Sequence, residues 1–159
     1  MKRKELSISY EEYTGREELP QQDRDLLDMA QQAALGAYAP YSRFKVGAAL
    51  MLDNGEVVSA SNQENAAYPS GLCAERVALF YAHAKYPKAR VVALAVTAIV
   101  DGKQCETPTY PCGACRQVMA ESEQRGSGNI RIVIGGEKVT QAVNGTSSLL
   151  PFVFDNLPK

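Results

Sequence analysis

Apolar residues recur at helical spacing early in the chain. Leu26, Leu27, Ala30, Ala33 and Ala34 share one face, Asp23 can cap their helix, and Pro40 stops it near Ala37. The period then changes. Phe44–Leu52 and Glu56–Ser61 read as strands around Asp53-Asn54-Gly55, and Asn-Gly between two apolar runs predicts a hairpin. Asn62–Leu72 reads as a loop. A second helix is expected from Cys73 to about Lys85, with Ala74, Val77, Ala78 and Tyr81 on one face and Pro87 ending it. Arg90–Val100 is almost wholly apolar, the pattern of a central strand covered on both faces. After a loop over Asp101–Tyr110, a third helix is predicted from Cys112 or Gly113 to Glu123, closed by Arg125–Gly128. Ile130–Ile134 reads as a strand and Lys138–Ala142 as another short one. Leu149–Phe154 reads as a helix start or a docking tail.

Strands alternating with helices after an opening hairpin predict an α/β domain with a mixed sheet of about five strands. It is expected over residues 21–159. Residues 1–20, rich in Glu, Lys and Arg, stand apart as an N-terminal extension; Ser7–Tyr10 alternates weakly, as a short strand or a surface-draped segment. A chain of 159 residues fits one domain and buries a core without disulfides.

The formal net charge of −1 makes nucleic acid a poor partner, since binding phosphates calls for a basic surplus. Lys2-Arg3-Lys4 is the only basic cluster. No apolar leader precedes Tyr13, and the longest apolar run, Val91–Val100, falls well short of the roughly 18 residues of a membrane span. A cytoplasmic location without membrane contact is therefore expected. There the four cysteines stay reduced, and clustered ones bind metal rather than form disulfides.

Cys112 and Cys115 have CxxC spacing, which alone fits either metal binding or thiol redox chemistry. Cys73 favours metal. Both cysteine groups open predicted helices, where backbone N–H groups and the helix dipole favour thiolates. Three protein ligands leave the fourth position of a zinc ion open for water, as in a catalytic site. Cys105 is the alternative fourth ligand of a closed structural site. His83 lies roughly 15 Å beyond Cys73 along the same helix and is assigned no chemistry. Glu75, two residues after Cys73, is either an acidic residue favoured by the helix dipole or a proton carrier between a water and a substrate nitrogen. Arg76 can offset the thiolate charge by hydrogen bonding to cysteine sulfur, or be a surface helix arginine.

Cys73-Ala74-Glu75 followed by Pro111-Cys112-Gly113-Ala114-Cys115 resembles the Cys₃ form of the zinc deaminase signature. Tyr41–Leu50 resembles the first-strand motif of homotetrameric cytidine deaminases, and Asn62–Tyr68 resembles their nucleoside-binding loop. Pro111–Gln117 and Leu149-Leu150-Pro151 with Phe154 also fit, so the resemblance spans about residues 23–156. It implies a three-layer α/β/α fold, one Zn²⁺ per subunit on Cys73, Cys112 and Cys115, and Glu75 as the proton shuttle. It further implies that Asn62 and Glu64 bind the ribose hydroxyls, that Phe44 packs on the pyrimidine, and that backbone around Ala74 and Cys112 reads the base edge. Phe154 is expected to reach a neighbouring subunit's pocket in a homotetramer, and Arg76 to support the ligands. The implied reaction is hydrolytic deamination of cytidine and 2′-deoxycytidine in pyrimidine salvage, with the nucleoside as the small-molecule partner. Blasticidin-type deaminases share the zinc motif but lack the Asn62–Asn65 pattern. Nucleic-acid deaminases usually carry histidine in place of Cys73 and a basic groove. A zinc-stabilised binding module without catalysis is the alternative from another class. The extension, Tyr68–Leu72 and Phe152-Val153 depart from the family pattern.

Overall fold

The structure, a computed structural model, describes residues 1–155. Its strands are β1 (Glu11–Tyr13), β2 (Lys45–Leu52), β3 (Val57–Ser61), β4 (Val91–Val100), β5 (Lys103–Gln104), β6 (Arg131–Ile134) and β7 (Thr140–Asn144). Its helices are α1 (Gln21–Leu35), α2 (Ala74–Lys85) and α3 (Gly113–Gly126). The strands form one mixed sheet in the order β1-β7-β6-β4-β2-β3, with β5 paired to β4 outside that row. Of these strands, only β4 and β6 pair in parallel.

Three layers result. On one face of the sheet, Leu26, Leu27 and Ala30 of α1 meet Ala49, Ala93, Ala95 and Ala142, with Val133. On the other, Leu50, Leu94, Val96, Ile132 and Ile134 meet Leu79 and Ala82 of α2 and Met119 of α3. Alternation along β2 and β4 thus sorts small side chains to one face and large ones to the other. The small face draws α1 in close. A Cβ on Gly47 would lie 1.9 Å from the Ala30 carbonyl oxygen, so only glycine fits beneath that turn of α1.

The topology decides where the site lies. β3 and β4 each pair antiparallel with β2, so they run parallel to each other. α2 joins β3 to β4 and α3 joins β4 to β6, the crossovers that parallel strands require. Both helices therefore open at the sheet end where β3 and β4 finish. β2, running the other way, starts there. Ligands of open α/β sheets bind outside this end.

Several expectations need correction. The sheet has seven strands rather than about five. The N-terminal strand is Glu11–Tyr13, not Ser7–Tyr10, because Arg131 of β6 bonds Glu11 and the Tyr13 hydroxyl, whereas Leu6, Ile8 and Tyr10 stay exposed. α1 begins at Gln21 behind Pro20; Asp23 is buried and accepts a 2.7 Å bond from Arg131 Nε instead of capping. Lys103–Gln104, expected within a loop, turns back onto β4. β7 lies two residues later than expected, in register with β6 from Ile134↔Gln141 to Arg131↔Asn144. Leu149–Phe154 is no helix; a 3-10 turn at Thr146–Ser148 precedes it, and it docks on α3 as described below.

Candidate active site

Cys73 and Cys112 occupy the cap positions of α2 and α3 in extended backbone, each without a side-chain capping bond. Serine or aspartate would normally satisfy the free N–H groups there; a thiolate in that place gains the same favourable field. Cys115 sits one turn into α3, fully buried. The Cys73 and Cys112 sulfurs are 3.8 Å apart, those of Cys112 and Cys115 3.5 Å, and all three lie within 4.8 Å of one another. Tetrahedral zinc with 2.3 Å bonds needs sulfurs about 3.8 Å apart. The donor set therefore fits zinc in both spacing and chemistry. Cys105 is outside the cluster, its backbone bonded to Ala98 and Glu137, so the closed four-thiolate reading fails among the described residues.

Of the three thiols, Cys73 is the one drawn toward the thiolate. Hydrogen bonding with Cys115, then with Arg76 and Cys112, draws the Cys73 thiol down to about 5, against a rise from burial. The Cys115 thiol is raised by the same bond to Cys73 and by burial. Arg76 Nη2 stands 3.7 Å from Cys73 Sγ, as expected of a cation offsetting thiolate charge. Glu75, only 3% exposed, lines the same cavity. Its Oε2 has no hydrogen-bond partner. Burial, with the Cys73 thiolate adding, pushes its carboxyl up to about 7. An unpartnered buried carboxylate costs free energy, and such groups cluster where their proton is used.

The cavity holds about 730 Å³ and is lined by Tyr41, Ser42, Phe44 and Val46 around the start of β2 but not by Arg43 or Lys45, by parts of the 62–73 segment, and by Glu75, Arg76, Thr109, Tyr110 and Cys112. Phe44 is half-buried in its wall, beside Val46. Asn62 is largely engaged by the protein. Its Nδ2 donates to the Phe44 carbonyl at 3.0 Å, and its Oδ1 accepts from Val46 N–H at 2.8 Å, clamping the start of β2. One N–H of its amide is left over. Glu64 accepts from the backbone N–H groups of Tyr41 (2.9 Å) and Ser42 (3.3 Å) and from the Ser42 hydroxyl. The hydroxyl bond first, and then those backbone bonds, hold its carboxyl below the usual range. Ala74 is fully buried and does not line the cavity with its side chain. Phe154 is also outside the cavity lining and largely exposed. His83 bonds the Ser122 hydroxyl at 2.9 Å, in keeping with its having no part in the site. The sequence assigned no role of their own to Tyr41 and Tyr68, which pack edge-on with ring centres 6.1 Å apart at the cavity wall, nor to Thr109 and Tyr110, which also line it. Tyr41 and Tyr68 fall within the two motifs quoted from the sequence, and Thr109 and Tyr110 directly precede Pro111-Cys112, which was the only signal available.

Three clustered thiols with no fourth metal-binding side chain grouped with them among the described residues, beside a buried acid, fit a catalytic metal centre better than a closed structural one. Comparison with known proteins narrows that class. The model of the cytidine and deoxycytidylate deaminase zinc-binding region matches residues 20–127. A cytidine deaminase of Halalkalibacterium halodurans is 51% identical over 96 residues, 60% of this chain and 68% of that protein. One of Mycobacterium tuberculosis is 48% identical over 92 residues, 58% and 65%. The crystal structure of cytidine deaminase from Burkholderia pseudomallei superposes with a TM-score of 0.68 at 38% identity, covering 82% of this chain and 97% of that one. That of the M. tuberculosis enzyme gives 0.64 at 36%, covering 82% and 95%. The chain belongs to the cytidine and deoxycytidylate deaminase zinc-binding family.

Proposed function

We propose that this protein is a zinc-dependent cytidine deaminase, converting cytidine and 2′-deoxycytidine to the uracil nucleosides with release of ammonia. The observation that carries the reading is Glu75: a buried, unpartnered carboxylate on the cavity wall, two residues from one thiol of a three-cysteine cluster. Cys73, Cys112 and Cys115 would hold the zinc ion, which when bound would acidify a water to serve as nucleophile. Glu75 would take one proton as water adds to C4 and give it to N3, then take the remaining proton of the new C4 hydroxyl and give it to the amine as the C4–N bond breaks, leaving the uracil carbonyl and ammonia.

The cavity favours a nucleoside over a nucleotide. Arg76 is the only cation among its described lining residues, and its guanidinium is turned to Cys73. No cation remains for a phosphate. We assign the remaining Asn62 N–H and the free lone pairs of Glu64 to ribose hydroxyls. Phe44 packs on the base, and the backbone at Ala74 and Cys112 reads the base edge. Phe154, exposed but pinned, reaches a neighbouring subunit's cavity in a homotetramer. Only the first ten residues stand as an extension to a single catalytic domain, since Glu11–Tyr13 joins its sheet and Leu19 its core, and the protein works in the cytoplasm, where its thiols stay reduced. No helix of the described residues is long and apolar enough to cross a membrane.

The test is loss of cytidine absorbance with purified, zinc-loaded protein. Cytidine and deoxycytidine should turn over, cytidine 5′-phosphate and free cytosine far more slowly. Equal turnover of cytosine would remove the ribose roles of Asn62 and Glu64; no turnover of either nucleoside would end the proposal.

A further inference from the structure

Arg116 directly follows the ligand Cys115, yet its guanidinium meets no carboxylate among the described residues. It donates to two backbone carbonyls instead, from Nε to Pro111 and from Nη1 to Leu149, each at 2.8 Å. The Pro111 carbonyl belongs to the peptide that leads into Cys112. Meanwhile the Arg116 main-chain N–H bonds the Cys112 carbonyl at 3.0 Å. One residue therefore grips Cys112 from both sides, through the peptide before it and the peptide after it. Cys112 needs that grip, because it is the exposed member of the cluster and has little packing to fix it. The second arm of the fork reaches the C-terminal segment. Gln117 holds the same segment further along, donating from Nε2 to the Phe154 carbonyl at 2.9 Å and accepting Phe154 N–H at 3.3 Å.

We infer that Arg116 is a positioning residue of the metal centre: it fixes the Cys112 thiolate through the Pro111–Cys112 peptide and ties that fixation to the segment around Leu149. The inference rests on the zinc reading above. Two acceptors on separate segments call for a planar, multidentate donor, which lysine cannot replace.

The experiment compares R116A and R116K with the unaltered chain, each loaded with zinc and, separately, with cobalt(II). Thiolate-to-cobalt and d–d absorption bands report ligand geometry. R116A should release zinc to a chelator about tenfold faster or more, the scale seen when groups that orient metal ligands are lost. Its cobalt bands should shift, and R116K, with one ammonium for two carbonyls, should fall between. Cobalt bands unchanged in both variants overturn the inference even where melting falls, and leave Arg116 a tether for the C-terminal segment. Should R116A fail to fold, R116K decides by the same spectrum. An unaltered chain that binds no metal would refute the zinc reading instead, so the two failures are distinguishable.

Discussion

Glu75→Gln separates proton transfer from every other role of that side chain. Glutamine has the same shape, so a site buried to 97% accepts it without repacking. The magnitude follows from what else could take over. Among the described residues the only other carboxylate on the cavity is Glu64, already held by two backbone N–H groups and the Ser42 hydroxyl. No histidine lines the cavity. With no substitute base, the loss should sit at the upper end for general acid–base catalysis, about 10⁴-fold in kcat. That is about 5 kcal/mol of transition-state stabilisation. Zinc content should stay that of the unaltered chain, and the melting temperature should move by no more than about 2 °C, as for a substitution worth about 0.5 kcal/mol. The assay needs cytidine turnover, metal analysis and a thermal melt on the same preparation. A folded, zinc-bound variant retaining turnover within tenfold refutes the assignment. A variant without zinc would show that Glu75 serves the metal rather than the proton.

Gly47→Ala should lower thermal stability by about 1–3 kcal/mol or more through overpacking against the Ala30 carbonyl, and an unchanged melt would contradict the close approach of α1. Asn62→Ala leaves the Phe44 carbonyl and Val46 N–H unpaired, at about 1–3 kcal/mol each, and should raise KM as well; denaturant unfolding at the original midpoint would refute the clamp. Arg131 and Tyr13 hold the Glu11 carboxyl below its ordinary 4.5, so the unfolded chain takes up this proton first as pH falls. The attachment of β1 is therefore fully present above about pH 4.5 and lost as pH drops through the lower folded value. Amide exchange at Glu11–Tyr13, corrected for intrinsic rate, should speed up in that window, and Glu11→Gln should flatten the response; equal pH dependence in both proteins would refute it.

The three-cysteine cluster was legible because its chemistry is written locally. CxxC spacing, a cysteine two residues before a glutamate, and helix starts at both places required no tertiary knowledge. The central strand and three helices were legible for the same reason, since hydrophobic period is a local signal. β1 was not, because it spans three residues and its anchor, Arg131, lies 120 residues further along the chain. Nor was the engagement of Asn62. A polar residue in a loop shows that it will find partners, but the register of β2 against β3 decides that they are Phe44 and Val46. The Arg116 fork was hidden likewise, since its second acceptor is 33 residues away.

The parallel run of β3 and β4 also bears on the entropy of the chain. It brings Cys73 to Cys112 across 39 residues of sequence, so an ion held by both closes a loop of that size. A covalent cross-link of such span restricts the unfolded ensemble by about 4 kcal/mol in the chain-entropy model. A zinc clip that survives unfolding acts in the same way; one released on unfolding stabilises by its own binding free energy instead. Either way the ion that serves the chemistry also fastens two crossover helices to one sheet. Starved of zinc, this protein should lose folded chains along with turnover.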